Sequence, residues 1–100
     1  MMNNIQYLLT KLAEECVEVA QMAHKCQQFG MYEQQTGNPK SNLQRLHDEL
    51  NDVMGVIQLL NDEEGFSFLP SEEAIANKIQ KVYHYRHYSK LIGEVECSEH

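Results

Sequence analysis

Two short acidic runs stand out for their residue types and spacing. Glu14, Glu15 and Glu18 form an E-E-x-x-E run, and Glu49 and Asp52 form an E-x-x-D run. On a helix, residues three apart share a face, so Glu15 with Glu18 and Glu49 with Asp52 make two matching pairs of carboxylates. One such pair is ordinary helix surface; two of equal spacing imply a common task. Four carboxylates drawn together raise one another's proton affinity and oppose the compact state, and a divalent cation relieves that repulsion. A donor set of hard oxygens, without His or Cys, suits Mg²⁺, with Mn²⁺ as the alternative, better than Zn²⁺ or copper. Mg²⁺ binds through a few carboxylates together with substrate phosphates, so the expected ligand is a nucleotide polyphosphate.

The elements that must position these acids are legible as three helices. Ile5, Leu8, Leu9, Leu12, Cys16, Val19, Ala20 and Ala23 recur at helical spacing within 4–29, after asparagines able to cap. Leu43, Leu46, Leu50, Val53, Met54, Ile57 and Leu60 do the same within 42–61, and Ser41 with Gln44 forms a capping box. A third helix is predicted over 71–91, after Pro70, with Glu72 and Glu73 in its first turn. The stretches 30–41 and 62–70 read as turns or loops. No segment alternates with period two, so the fold class is all-α.

At about 100° per residue, the apolar stripe of the first helix centres near Leu12 and Ala23, placing Glu15 about 70° and Glu18 about 130° to one side. The stripe of the second centres near Leu50 and Ile57, with Glu49 about 80° and Asp52 about 140° away in the same sense. Antiparallel packing through these stripes brings all four acids to one side, and sequential helices are most often antiparallel neighbours. Val56 and Leu59 project away from the second stripe, and Val17 lies on the back of the first helix. This second apolar surface predicts a four-helix-bundle-like core completed by homo-oligomerisation.

The two acidic motifs and the apolar residues around them, Lys11 to Ala20 and Leu46 to Met54, resemble the signature of the MazG-like all-α nucleoside triphosphate pyrophosphohydrolase superfamily. The resemblance covers about 4–92, with a separation between the motifs slightly longer than is usual. It implies a Mg²⁺-dependent homodimer or dimer of dimers that hydrolyses the α-β phosphoanhydride of a nucleoside triphosphate to the monophosphate and pyrophosphate. Glu15, Glu18, Glu49 and Asp52 match the family's metal ligands, and Glu14 its remaining catalytic acid. A related helical family, phosphoribosyl-ATP pyrophosphohydrolase, is the alternative enzyme, and a helical dimerisation module the alternative outside enzymology.

Between Ala76 and Ile92 the chain carries Lys78, Lys81, Arg86 and Lys90 and no acid. A similar basic stretch in the resembled family makes Lys78, Lys81 and Arg86 the candidate phosphate-binding residues. Tyr83, Tyr85 and Tyr88 are expected to pack against the bundle rather than on a base. His84 and His87 lack partners for a metal site. Cys16 and Cys26 read as small core hydrophobes, and Asn38, Lys40 and Asn42 as loop residues within possible reach of a substrate.

One hundred residues suit a single domain, here with 93–100 as a flexible tail. Eight Lys plus Arg against fifteen Asp plus Glu leave a net charge of −7, the wrong sign for gripping nucleic acid. Three cysteines without C-x-x-C spacing, and no signal-like N-terminus, point to a reducing cytoplasm. No apolar run approaches the roughly 20 residues needed to cross a bilayer, so no membrane partner is expected.

Overall fold

The computed structural model of the chain describes residues 1–96; Cys97 and the second half of the expected 93–100 tail lie outside the described residues. Three helices, α1 (Asn4–Phe29), α2 (Asn42–Glu64) and α3 (Glu72–Leu91), account for the regular structure, and the described residues contain no strand. They fall into two compact units, Met1–Phe68 and a second that begins at Leu69.

Local chemistry sets the helix ends. The Asn3 side chain accepts from the Gln6 amide at 2.9 Å while the Asn3 amide donates to Gln6 Oε1 at 3.0 Å. Ser41 and Gln44 make the same reciprocal box at the start of α2. Each box satisfies two backbone donors that the first helical turn leaves unpaired. The second helix runs three residues beyond the expected end, taking in Asp62, Glu63 and Glu64. Acids there are unfavourable to the helix dipole and read as a turn. Gly65 supplies the compensation: it adopts φ 61°, ψ 29°, left-handed geometry open to glycine, and its amide donates to the Leu60 carbonyl. Asn61 then clamps the chain that follows, its side chain bonding both the amide and the carbonyl of Phe68 at 2.9 and 3.0 Å.

The first two helices form an antiparallel hairpin. At its open end Asn4 Nδ2 donates to Glu63 Oε1 at 3.1 Å. At the closed end the amides of Asn42 and Leu43 donate to the carbonyls of Glu33 and Met31. Asn42, only 1% exposed, donates its side-chain amide to the Gly30 carbonyl and to Glu33, tying the end of α1 to the start of α2. The helix begins at Asn42, as its periodicity predicts, but the side chain grouped with the loop residues in reach of a substrate is buried.

The line along which the helices meet is rotated from the predicted apolar stripes. Leu8 and Met22 are buried, and Glu15, halfway between them at seven-residue spacing, is half-buried on the same face. On α2 the inner positions are Asn42, Leu46, Glu49, Val53, Val56 and Leu60, an alternating three-and-four spacing. Val56 therefore belongs to the seam rather than to an outer surface. Of the residues at the expected stripe centres, Ala23 and Leu50 are exposed while Leu12 and Ile57 are half-buried, so those centres lie toward one flank of the contact, and Cys16, exposed, is not a core residue. The reason is that each helix has apolar residues on both the seam and one flank, and averaging the two displaces the apparent centre.

Within the second unit, the Ser71 side chain caps α3 by accepting from the Ala74 amide at 3.1 Å. Glu72 and Glu73 at its start and Lys90 in its last turn complement the helix dipole. None of its residues is buried. No helix among the described residues is long and apolar enough to cross a membrane.

The seam assignment is testable by paired truncation. Leu60→Ala, at a fully buried position, is expected to cost about 2–5 kcal/mol of unfolding free energy. At concentrations where the chain is monomeric, Leu50→Ala is expected to cost less than about 1 kcal/mol. Equal losses in urea melts would place the helix contact on the stripes that sequence periodicity picks out.

Candidate functional site

The acidic motifs meet in the middle of the hairpin. Glu15 and Glu18 sit near the midpoint of α1, and Glu49 near that of α2, so the antiparallel register that joins Asn4 to Glu63 also sets Glu18 opposite Glu49. Fourteen residues separate Asn4 from Glu18, and fourteen separate Glu49 from Glu63. One carboxylate oxygen from each of Glu15, Glu18 and Glu49 lies within 4.8 Å of the others. Asp52 stands outside this trio but close enough to act electrostatically on both Glu15 and Glu49.

Glu15 and Glu49 are half-buried and Glu18 is exposed. The Oε2 atoms of Glu15 and Glu49 are shielded from solvent and have no hydrogen-bond partner. Within the first unit the ion pairs go elsewhere: Lys11 pairs with Glu14 at 3.1 Å, and Lys40 with Asp48 at 2.6 Å. Partial burial raises the Glu15 carboxyl above its ordinary value of 4.5, and the negative charges of Glu18 and Asp52 push it further. Burial also raises Glu49, followed by Glu18, which is near enough to share a proton with it, and by Asp52 and Glu15. The group is an all-oxygen donor set, with two orphaned oxygens and excess negative charge, and that chemistry fits a hard divalent cation.

The other predicted site residues are not members of the trio. Glu14 is an exposed partner of Lys11 rather than a member of the trio. Lys78, Lys81 and Arg86 lie on α3, in the second unit, with Arg86 over the Tyr83 ring at 5.1 Å. Tyr83, Tyr85 and Tyr88 are exposed rather than packed in a core, Tyr85 meeting His84 edge to face at 5.5 Å. Sequence reading passed over a cavity of about 310 Å³ at the closed end of the hairpin, between the end of α1, the 30–41 connection and Asn42. Its signal was present in the spacing: Lys25 and Phe29 follow Glu18 by seven and eleven residues, whole turns on the same face.

Set against models of known families, curated proteins and solved structures, the chain matches none of them.

The raised carboxyls fix the sign of a pH effect. Because their folded-state proton affinity exceeds that of the unfolded chain, the folded state holds more protons just above pH 4.5, and stability falls as pH rises through the raised values. In EDTA, the melting temperature is expected to decline across that window, and Glu49→Gln to flatten the decline and raise the melting temperature at neutral pH. A melting temperature that climbs with pH, unaltered by the substitution, would contradict the site's electrostatics.

Proposed function

We propose that the protein is a Mg²⁺-dependent hydrolase of nucleoside triphosphates that cleaves the α-β phosphoanhydride with water, releasing nucleoside monophosphate and pyrophosphate. The observation that carries this reading is the convergence of Glu15, Glu18 and Glu49 from two helices, with two shielded oxygens left without a partner. Carboxylates serving only as solvated surface would point apart and stay hydrated; here the fold holds like charges together at a cost to its own stability. The resemblance of the two acidic motifs to the MazG-like superfamily supports the same reaction.

Glu15, Glu18 and Glu49 would hold the ion, with Asp52 beside them. When bound, Mg²⁺ offsets the charge on phosphate oxygens and makes nearby water more acidic. The protein's own part is to hold its acids in a rigid seam between two capped helices, so that little reorganisation accompanies binding. No covalent enzyme intermediate is required. Lys78, Lys81 and Arg86 supply the positive side chains we assign to the substrate's phosphates.

A homo-oligomer belongs to this proposal. Ile5, Leu9, Leu50 and Met54 are exposed on the flank of the hairpin away from Glu18 and Asp52. A second copy covering that flank would complete a four-helix core and leave the acidic side open. The cytoplasm, where Mg²⁺ and nucleotides abound, is the proposed location.

Mg²⁺ at about 100 times its dissociation constant is expected to stabilise the fold by about 2.7 kcal/mol, a rise in melting temperature on the order of 10 °C. Glu49→Gln should abolish the rise while the helical circular dichroism persists. The same substitution should lower kcat/KM for pyrophosphate release from a nucleoside triphosphate by at least about 100-fold. Release of orthophosphate instead, or a rate indifferent to Glu49, would refute the assignment.

A further inference from the structure

The cavity at the closed end of the hairpin has the dimensions and lining of a ligand site, and no role has been assigned to it. Its volume of about 310 Å³ stands at the small end of ligand pockets, which run from roughly 300 to 1,000 Å³. One wall is the ring of Phe29, 59% exposed, an apolar face available for stacking. The lining also carries side-chain amides. Gln34 donates its Nε2 to the Pro39 carbonyl at 2.8 Å, which fixes the side chain and leaves Oε1 as an acceptor. Gln35 accepts from Arg45 Nη1 at 3.2 Å through Oε1, leaving its NH₂ as a donor. Asn42, also in the lining, is buried and held by its bonds to Gly30 and Glu33. Lys25 and Glu33 bring one charge of each sign, so the pocket has no net preference for an anion.

An aromatic face, one fixed acceptor and one fixed donor together recognise a flat heterocycle with a mixed hydrogen-bonding edge. A phosphate alone would use neither the ring nor the neutral charge balance. The pocket's place reinforces this. Lys25 follows Glu18 by seven residues on α1, and Asn42 precedes Glu49 by seven on α2, so the cavity lies on the acidic side of the hairpin, about 10 Å along the axis from the carboxylates. That offset matches a nucleotide lying along the hairpin with its base at the closed end and its phosphates at the acids.

We infer that this cavity is a nucleobase-binding pocket, in which Phe29 stacks on the base while Gln34 and Gln35 read its edge. The assignment of the base to a nucleoside triphosphate rests on the proposed hydrolase reading; the pocket's affinity for a base does not. The test uses the full chain in EDTA, titrated with adenosine, guanosine, cytidine and uridine, and with ribose as control, while backbone amide NMR signals are followed. At least one nucleoside should shift the Phe29, Gln35 and Asn42 signals saturably, and ribose should not. Phe29→Ala should weaken that binding tenfold or more, and Phe29→Tyr should restore it. Absence of saturable shifts at these residues with all four nucleosides, or binding indifferent to Phe29→Ala, overturns the inference. A parallel Mg²⁺ titration without nucleoside reports on Glu15, Glu18 and Glu49. Nucleoside binding without a Mg²⁺ response would sink the hydrolase reading and leave the pocket standing, and the converse pattern would do the reverse.

Discussion

The hairpin is organised around carboxylates placed where an alkyl side chain would ordinarily go. Glu15 lies between buried Leu8 and Met22 on one helix, and Glu49 lies between Leu46 and Val53 on the other. Each gives up part of its hydration and faces the charges of Glu18 and Asp52, and Glu49 faces that of Glu15 as well. Few residues are available to offset this, since the buried apolar set among the described residues comprises Leu8, Met22 and Leu60. The ends of the hairpin therefore bear much of the burden of keeping it closed. Two reciprocal capping boxes, the Asn4–Glu63 bond and the buried Asn42 amide hold the register that places the acids opposite one another.

The same rotation that puts acids in the seam divides the rest of the surface. Glu18, Asp52, Lys25 and Phe29 fall to one side of the helix pair, and Ile5, Leu9, Leu50 and Met54 to the other. A charged, pocketed side and an apolar side have different uses, and the proposal gives the first to a nucleotide and the second to another copy of the chain. Function and assembly then do not compete for the same surface. Such a division also explains how a chain this short can tolerate a polar seam: apolar area absent from the contact between α1 and α2 remains available for burial against a partner.

The all-helical class, the starts of the helices, the Ser41–Gln44 capping box and the kinship of the four acids follow from residue order alone, because they depend on periods and on bonds three or four residues long. Glu15, Glu18 and Glu49 were legible as one cluster for that reason: identical spacing on two helices, joined by a connection that favours antiparallel packing. Other features depend on contacts between residues remote in the chain. Which face of an apolar-rich helix turns inward is decided by the fit of the other helix, so the seam ran through Glu15 and Glu49 while Cys16, Ala23 and Leu50 turned outward. The extension of α2 through Asp62, Glu63 and Glu64 needed the left-handed Gly65 and the bond from Asn4, neither of which a local tally of charges anticipates. Above all, the pocket beside Phe29 exists only because the 30–41 connection folds back over the end of α1 and is pinned by Asn42; short-range spacing sets which residues share a helix face, and only tertiary closure decides what space they enclose.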